Sequence, residues 1–178
     1  MFSRGHADQG AARRAVSTRR VSVRSVPPFQ SFLEEHRDMV YRFLLVAVGP
    51  HEADDCFQET FLAALRAYPR LRNGEALDRW VLRIATRKAI DSHRARGRRA
   101  VPTSDIRDGA VDDDPPLDAT DPLWEAVRAL PAKQRVGVVH RHVLDRSYAD
   151  VAEAMGTSEE AARANVSEGV RKLREVLR

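Results

Sequence analysis

Apolar residues in the first half of the chain recur at the spacing of amphipathic helices. After Pro27 and Pro28, one helical face stays apolar until Gly49 and Pro50, which predict the end of a first helix. The residues expected to face inward there are Phe29, Phe32, Leu33, Val40, Phe43, Leu44 and Ala47. This spacing predicts a helix over the segment.

Two more helices are predicted after the first one. An acidic stretch at residues 51–55 suits a helix start, and Pro69 marks the end of this second helix. Its predicted buried stripe consists of Phe57, Phe61, Leu62, Leu65 and Tyr68. A third helix is predicted over residues 75–94, with inward residues Leu77, Trp80, Val81 and Ile84. We interpret Trp80 as a core residue because it lies on this stripe, although an indole could also stack on a base.

The last 57 residues are also predicted to be helical throughout. Two apolar sets, which end at Pro131 and near Leu144, consist of Leu123, Trp124, Val127 and Leu130, and of Val136, Val138, Val139 and Val143. Ser147 can then cap a short helix, with Asp150 three residues later as a short form of a capping box. Gly156 suits the end of that helix and Ser158 the cap of the next one.

This spacing is typical of a helix-turn-helix. The small side chain of Ala152 lets two helices approach closely, and Gly156 can adopt the positive φ of a tight turn. The inward residues of the short helix would be Val151, Ala152 and Met155. A second helix from Ser158 could enter a major groove, which is about 12 Å wide.

Charge is segregated along the chain, although the formal net charge is only +4. Residues 1–28 carry +5, residues 29–99 carry +3, residues 100–121 carry −6 and residues 122–178 carry +2. The third helix continues into a run of six Lys or Arg residues between Arg87 and Arg99, a basic ridge suited to following phosphates. This distribution points to a polyanionic partner such as nucleic acid.

The charged segments also predict the domain plan. Residues 1–28 are interpreted as a disordered basic tail, since they hold few large apolar side chains; an organellar transit peptide is the alternative. Residues 29–99 and 122–178 are predicted as two all-α domains. Residues 100–121 are predicted to be a flexible acidic linker, because they contain Pro102, Pro115, Pro116 and the acidic run 112–114, with Pro122 directly after them. This linker is either a solubilising spacer or a mimic of nucleic acid in a basic channel.

Other classes of protein are disfavoured by what the sequence contains. Cys56 is the single cysteine, so an internal disulfide is excluded and a reducing cytosol is expected. The longest apolar stretch is far below the ~20 residues that span a bilayer, so no membrane insertion is expected. A metal enzyme that uses His51, Cys56, His140 and His142 is an alternative, but these residues do not form a recognisable ligand set. We expect no cofactor and no metal.

Five motifs, taken in order, resemble the extracytoplasmic-function (ECF) group of bacterial sigma factors, within the sigma-70 family. The matching segments are residues 53–61 (ADDCFQETF), 80–85 (WVLRIA), Asp91 with the basic run, 130–135 (LPAKQR) and 147–156 (SYADVAEAMG). The resemblance covers residues 29–99, equivalent to sigma region 2, and 122–177, equivalent to region 4. It implies a transcription initiation subunit that binds core RNA polymerase and promoter DNA, in many cases during a stress response and under control of an anti-sigma factor.

The resemblance also implies roles for individual residues. Core polymerase would be bound through its largest-subunit clamp helices and its beta-subunit flap, with the clamp-helix contact made by Asp55, Gln58 and Glu59. The minus-ten element would be bound by Arg72, Asn73, Arg87, Lys88, Arg94, Arg96, Arg98 and Arg99. The minus-thirty-five element would be read by the helix-turn-helix at residues 147–166 and its extension, through Ser158, Glu160, Ala161, Arg163, Ala164, Asn165, Arg171 and Lys172.

Some of these assignments have a simpler alternative. The acidic face of the second helix could be an ordinary solvated face, and the same holds for Arg171, Lys172 and Arg174. The sequence departs from the family at Arg87 and His93 in region 2, and at Ala162, Asn165 and Glu168 in region 4. A helix-turn-helix regulator that acts without core polymerase is the second functional hypothesis.

Overall fold

The computed structural model describes residues 25–99 and 122–178, and every regular element in these ranges is helical. The first part contains α1 (Phe29–Val48), α2 (Pro50–Ala67), a 3-10 turn (Tyr68–Arg70) and α3 (Leu77–Arg99). The second part contains α4 (Pro122–Ala129), α5 (Ala132–Val138) with a π-helical extension (Val139–Val143), α6 (Tyr148–Met155) and α7 (Glu159–Val176). The predictions for residues 1–24 and for the acidic linker lie outside the described residues.

Helices α1, α2 and α3 pack together because each has one apolar face. The turn between α1 and α2 needs Gly49, whose φ of 91° is unfavourable for residues with a side chain. All seven inward residues predicted for α1 are buried or half-buried, and the most enclosed are Phe32, Val40, Phe43 and Leu44. Trp80 is half-buried, with its ring centroid 5.6 Å from that of Phe32, so its prediction as a core residue is confirmed.

The predicted buried stripe of α2 is wrong at two positions. Leu62 and Leu65 are 51% and 49% exposed. The helix instead buries Phe61 together with a row of small residues, Ala53, Cys56, Thr60 and Ala64. Small side chains on the inner face leave α1 and α3 room to approach closely, so the two leucines are turned towards the solvent.

The prediction for α5 is wrong at Val143, which is 40% exposed. Here the helix widens into the π form, and the Leu144 N–H bonds to the Val139 carbonyl at 3.1 Å. The wider turn shifts the inward face relative to a regular helix. His140 lies four residues after the buried Val136, on the same face of the helix, and only 1% of its surface is exposed. In α4 the predicted inward residue Leu123 is also 39% exposed, whereas Val127 and Leu130 are buried.

Close packing of α7 on α5 depends on a glycine. A Cβ at Gly169 would lie 2.7 Å from Cγ2 of Val138, which is shorter than any ordinary contact. Because valine is rigid at χ1, it could not easily move away. Gly169 therefore sets how near α7 lies to α5, and with it the position of the helix that follows the turn.

The two helical domains also contact each other. Their apolar residues form one continuous cluster, in which Val127, Val136 and Val139 of the second domain join the residues of the first. The Phe43 and His140 rings are 4.8 Å apart across this boundary. The Arg135 guanidinium donates to the Ala47 carbonyl at 2.9 Å. Within the described ranges, no helix is both long and apolar enough to cross a membrane.

Candidate functional site

Helices α6 and α7 form the predicted helix-turn-helix. The Asp150 N–H donates to Ser147 Oγ at 3.2 Å, and the Ser147 hydroxyl donates to the Asp150 carboxylate at 2.7 Å. Gly156 has a φ of 62°, as the sequence predicted for the turn. Ser158 caps α7 by accepting from the Ala161 N–H at 3.2 Å. The two predicted caps and the turn are therefore confirmed.

A small apolar core holds the two helices of this motif together. Val151 and Ala152 of α6 pack against Ala162 of α7, with Met155 at the edge. The side chains on the opposite face of α7 are left open to solvent. Of the residues predicted to read DNA, Ser158, Glu160, Arg163, Ala164 and Arg171 are exposed, and Ala161, Asn165 and Lys172 are half-buried.

Arg163 is the best-positioned base-reading candidate on α7. Its guanidinium pairs with Glu159 at 2.5 Å and lies 4.3 Å from the centroid of the Tyr148 ring. These contacts hold the planar group at the surface before any ligand arrives. Tyr148 and Glu159 were not among the predicted site residues. Glu159 lies four residues before Arg163 on α7, a spacing that the sequence shows, whereas only the packing of α6 on α7 brings Tyr148 to Arg163.

Two other candidates on α7 already have partners. The Asn165 amide donates to the Ala161 carbonyl of its own helix at 2.7 Å. Arg171 lies between Glu168 and Glu175, with N–O distances of 2.5 Å to each. Hydrogen bonding to Glu168 raises the pKa of Arg171 above its ordinary value. Both side chains would have to exchange these partners for DNA groups.

The three residues predicted to bind polymerase share an exposed face of α2. Asp55, Gln58 and Glu59 are all exposed, and Leu62 and Leu65 continue this face by two further turns. The surface, which we call the α2 face, thus combines charged, amide and apolar groups. The sequence missed the two leucines because their spacing also fits a buried stripe.

The predicted basic ridge is helical through to Arg99, but several of its charges are paired. Lys88 contacts Glu59 at 2.8 Å, which joins a predicted DNA-binding residue to a predicted polymerase-binding one. Arg96 contacts Glu52 at 2.6 Å, and Arg94 is 3.6 Å from Asp91.

The other residues predicted to bind the minus-ten element lie on the exposed side of α3, at its C-terminal end and in the loop before it. Arg87 is exposed, and so are Arg72 and Asn73 in the loop before α3. The side chains of Arg98 and Arg99 lie outside the described residues. The structure thus brings the region 2 candidates together on α2, α3 and the preceding loop, and the region 4 candidates together on α7.

Two residues with ionisable side chains, Arg135 and His140, are buried at the boundary between the domains. Burial lowers the pKa of His140 to about 4, and Arg146 adds to this effect. Nε2 of His140 lies 2.7 Å from the Thr86 hydroxyl. Burial also lowers the pKa of Arg135 to about 10, with Arg96 and Arg128 contributing. Neither role was predicted from the sequence, since a polar residue on an apolar helix face does not reveal its partner.

The histidines and the cysteine considered for a metal site are dispersed. Cys56 is buried in the core of the first domain, and burial raises the pKa of its thiol. His140 is enclosed between the domains, whereas His51 and His142 are exposed. No group of three or more His, Cys, Asp or Glu residues in the described part of the chain could hold a metal ion.

Comparison with known families gives two matches along the chain. The family model "Sigma-70 region 2" matches residues 32–99, and "Sigma-70, region 4" matches residues 120–173. These two segments correspond to the helical domains described above.

Individual relatives agree with this assignment. The chain is 33% identical over 156 residues to the ECF RNA polymerase sigma factor SigD of Mycobacterium tuberculosis, an alignment covering 80% of this chain and 74% of SigD. It is 29% identical over 162 residues to SigE of Mycolicibacterium smegmatis, covering 86% of this chain and 63% of SigE.

A solved structure has the same fold. The sigma factor RpoE of Bartonella quintana, crystallised with the anti-sigma factor NepR, superposes with a TM-score of 0.68 at 22% sequence identity. The superposition covers 84% of this chain and 96% of that one. The chain thus has two sigma-70 regions in order, a helix-turn-helix in the second of them and a relative at 33% identity. It therefore belongs to the ECF RNA polymerase sigma factors.

Proposed function

We propose that this protein binds core RNA polymerase and directs it to the promoters of a specific set of genes. The observation that carries the proposal is the presence of both sigma regions in one chain, the second with a well-formed helix-turn-helix. A regulator acting without polymerase would have no need of region 2. In this role the protein works in the bacterial cytoplasm and has no catalytic site of its own.

The α2 face is the proposed contact with core polymerase. Asp55, Gln58 and Glu59 would meet the clamp helices of the largest subunit, while region 4 would lie on the beta-subunit flap. Charge complementarity of this kind sets the choice of partner. The exposure of Leu65 on the same face supports an apolar contribution to the contact.

Promoter DNA would be held at two places. The exposed side of α7 suits a duplex, because Arg163 can pair with guanine and the methyl group of Ala164 can contact thymine. The loop with Arg72 and Asn73, together with the ridge on α3, suits melted single strand, whose phosphates and bases are both accessible. This assigns the minus-thirty-five element to α7 and the minus-ten element to the loop and α3.

An anti-sigma factor is the proposed inhibitory partner. The Bartonella quintana relative was crystallised with one, which supports a similar arrangement for this chain. The α2 face is one surface that such a partner could cover, since its exposed leucines are otherwise left in contact with water.

Run-off transcription with purified core polymerase tests the proposed function. We expect promoter-dependent transcripts only when the protein is added. Absence of any promoter-dependent transcript would overturn the function.

Leu65→Ala should weaken binding to core polymerase by roughly 1–2 kcal/mol, a typical cost for a central interface residue, with little loss of fold stability. Core binding can be measured by fluorescence anisotropy, with Arg37→Ala on α1 as an exposed control.

Arg163→Ala tests the reading of the upstream element. We expect a loss of ~1–3 kcal/mol in binding to the minus-thirty-five duplex, because a bidentate contact to a base is removed. Titration of polymerase holoenzyme against matched and scrambled upstream sequences measures this loss. If the variant loses affinity equally for both sequences, Arg163 contacts phosphate and does not read bases.

A further inference from the structure

Tyr148, the first residue of α6, contacts two arginines through the face of its ring. The guanidinium carbon of Arg163 lies 4.3 Å from the ring centroid, and that of Arg141 lies 5.4 Å from it. Both distances are within the ~6 Å range of a cation–π contact. Because Arg141 belongs to the π-helical extension of α5 and Arg163 to α7, the ring joins three helical elements.

The position of the Tyr148 ring is fixed by its neighbours. Ser147 caps α6 directly before it. The Arg141 guanidinium donates to the Asp145 carboxylate at 3.2 Å and to the Arg146 carbonyl at 3.3 Å, and these bonds hold it beside the ring. Tyrosine itself has only two rotatable side-chain angles, so little conformational entropy opposes a fixed ring. The half-buried ring is therefore a rigid support for Arg163.

The two partners of Arg163 differ in what DNA binding would require of them. The Glu159 carboxylate accepts a hydrogen bond from Nη2 of Arg163 at 2.5 Å, so it competes with a base for the same nitrogen. This ion pair is also exposed and lies within one helix, and such pairs are weak. The Tyr148 ring attracts the cation through its face and occupies no particular N–H group. The contact with Tyr148 is thus compatible with base binding, whereas that with Glu159 has to be exchanged.

The ring is separate from the core that holds the motif together. That core consists of Val151, Ala152 and Ala162, with Met155 at its edge. Arg163 directly follows Ala162, so the core places the backbone of Arg163, and the Tyr148 ring contacts only its side chain. Removing the ring is therefore expected to change the Arg163 side chain and to leave the backbone of α7 in place.

We propose that Tyr148 is a positioning residue for Arg163 and determines how strongly α7 selects one base pair of the upstream element. The ring holds the guanidinium ready to donate to a guanine and does not itself bind the DNA. Arg141 acts indirectly, because it holds the ring. The inference deepens the proposed function and rests on it, since it requires that Arg163 reads a base.

The base-pair preference of the polymerase holoenzyme is the main test. The readout is the ratio of two affinities, for an upstream duplex selected by the holoenzyme from a randomised pool and for the same duplex changed at the base pair whose preference Arg163→Ala abolishes. Tyr148→Leu should lower this ratio about two- to fivefold, as expected for loss of an exposed cation–π contact. Tyr148→Phe keeps the ring and should keep the ratio. Tyr41→Leu makes the same change at an exposed position of α1 and should also leave the ratio unaltered.

A double-mutant cycle shows whether Tyr148 acts through Arg163. Tyr148→Leu/Arg163→Ala should have the same ratio as Arg163→Ala alone, because the ring then has no guanidinium to hold. A further fall of the ratio in the double variant would overturn the inference. Equal losses for Tyr148→Phe and Tyr148→Leu would also overturn it, since the hydroxyl would then be the acting group. The same holds if Tyr148→Leu weakens binding to both duplexes equally, or if Arg163→Ala abolishes no preference.

Nuclear magnetic resonance of the full chain without polymerase tests the contact independently. The ring current of Tyr148 should shift the Hδ signals of Arg163 upfield, and this shift should persist in Tyr148→Phe and disappear in Tyr148→Leu. Absence of the shift from the unsubstituted chain would overturn the inference. A chain that shows the shift but directs no promoter-dependent transcription would overturn the proposed function alone. A chain that initiates transcription with an unaltered ratio in Tyr148→Leu would overturn the inference alone.

Discussion

Leu44→Ala should reduce the free energy of unfolding by about 2–5 kcal/mol, whereas Leu62→Ala should cost less than about 1 kcal/mol. Leu44 is fully buried at the centre of the first domain, and Leu62 is 51% exposed on α2. Removing the Leu44 side chain loses its transfer free energy and leaves a cavity that the surrounding helices fill only in part.

The comparison is well controlled because the same substitution is made in two neighbouring helices. Differences in helix propensity between Leu and Ala are small and apply to both variants. Urea unfolding of the full chain, followed by circular dichroism, gives the two free energies. Equal losses for the two variants would mean that Leu62 is buried, as the periodicity of α2 alone suggests.

The stability of the protein should fall by up to about 3 kcal/mol as the pH is lowered from 7 to 4, largely through His140. Its pKa is about 4 in the folded chain, against an ordinary value of 6.5. Between these two pH values the unfolded chain binds more protons than the folded one, so stability is fully present above pH 6.5 and is lost towards pH 4. Protonation inside the domain boundary is opposed by burial and by Arg146.

Other titratable groups near this boundary also contribute to the pH dependence of stability. Burial also lowers the pKa of half-buried His93, which adds to the loss over the same range. Asp78 and Asp150, which face the boundary, have pKa values below the ordinary 3.8 and therefore contribute mainly at still lower pH. The expected slope thus comes from His140, with a smaller share from His93.

His140→Gln isolates the histidine contribution. Glutamine remains neutral throughout and can still hydrogen-bond to the Thr86 hydroxyl, so the slope between pH 6.5 and 4 should become much shallower. His142→Gln, at an exposed position two residues away, is the matched control and should keep the slope of the unsubstituted chain. The same slope in all three proteins would assign the pH dependence to other groups.

The helix-turn-helix was predictable because its determinants are local. Ser147, Gly156 and Ser158 each act on backbone groups within a few residues, so cap and turn geometry follow directly from residue type and spacing. The inward face of α1 was predictable for a related reason, since bulky apolar residues occupy one face only. In both cases, competing arrangements leave backbone groups unpaired or apolar surface exposed.

The orientation of α2 was not predictable from its own residues. Both of its faces carry apolar side chains, and the choice depends on how closely α1 and α3 approach. Small residues such as Ala53 and Ala64 allow the closer approach and bury their side, which leaves Leu62 and Leu65 outside. The exposure of these leucines extends the α2 face, and only the tertiary structure reveals it.

The sequence alone therefore determined the family, the helical domains and the turn of the helix-turn-helix, because those features depend on local spacing and residue chemistry. Only the tertiary structure decided which charged and polar residues are paired with one another. Lys88 pairs with Glu59, Arg79 pairs with Asp150, and His140 is enclosed against Thr86. Each of these pairs joins residues far apart in the chain, and such long-range contacts are set by the packing of whole helices, which no local pattern specifies.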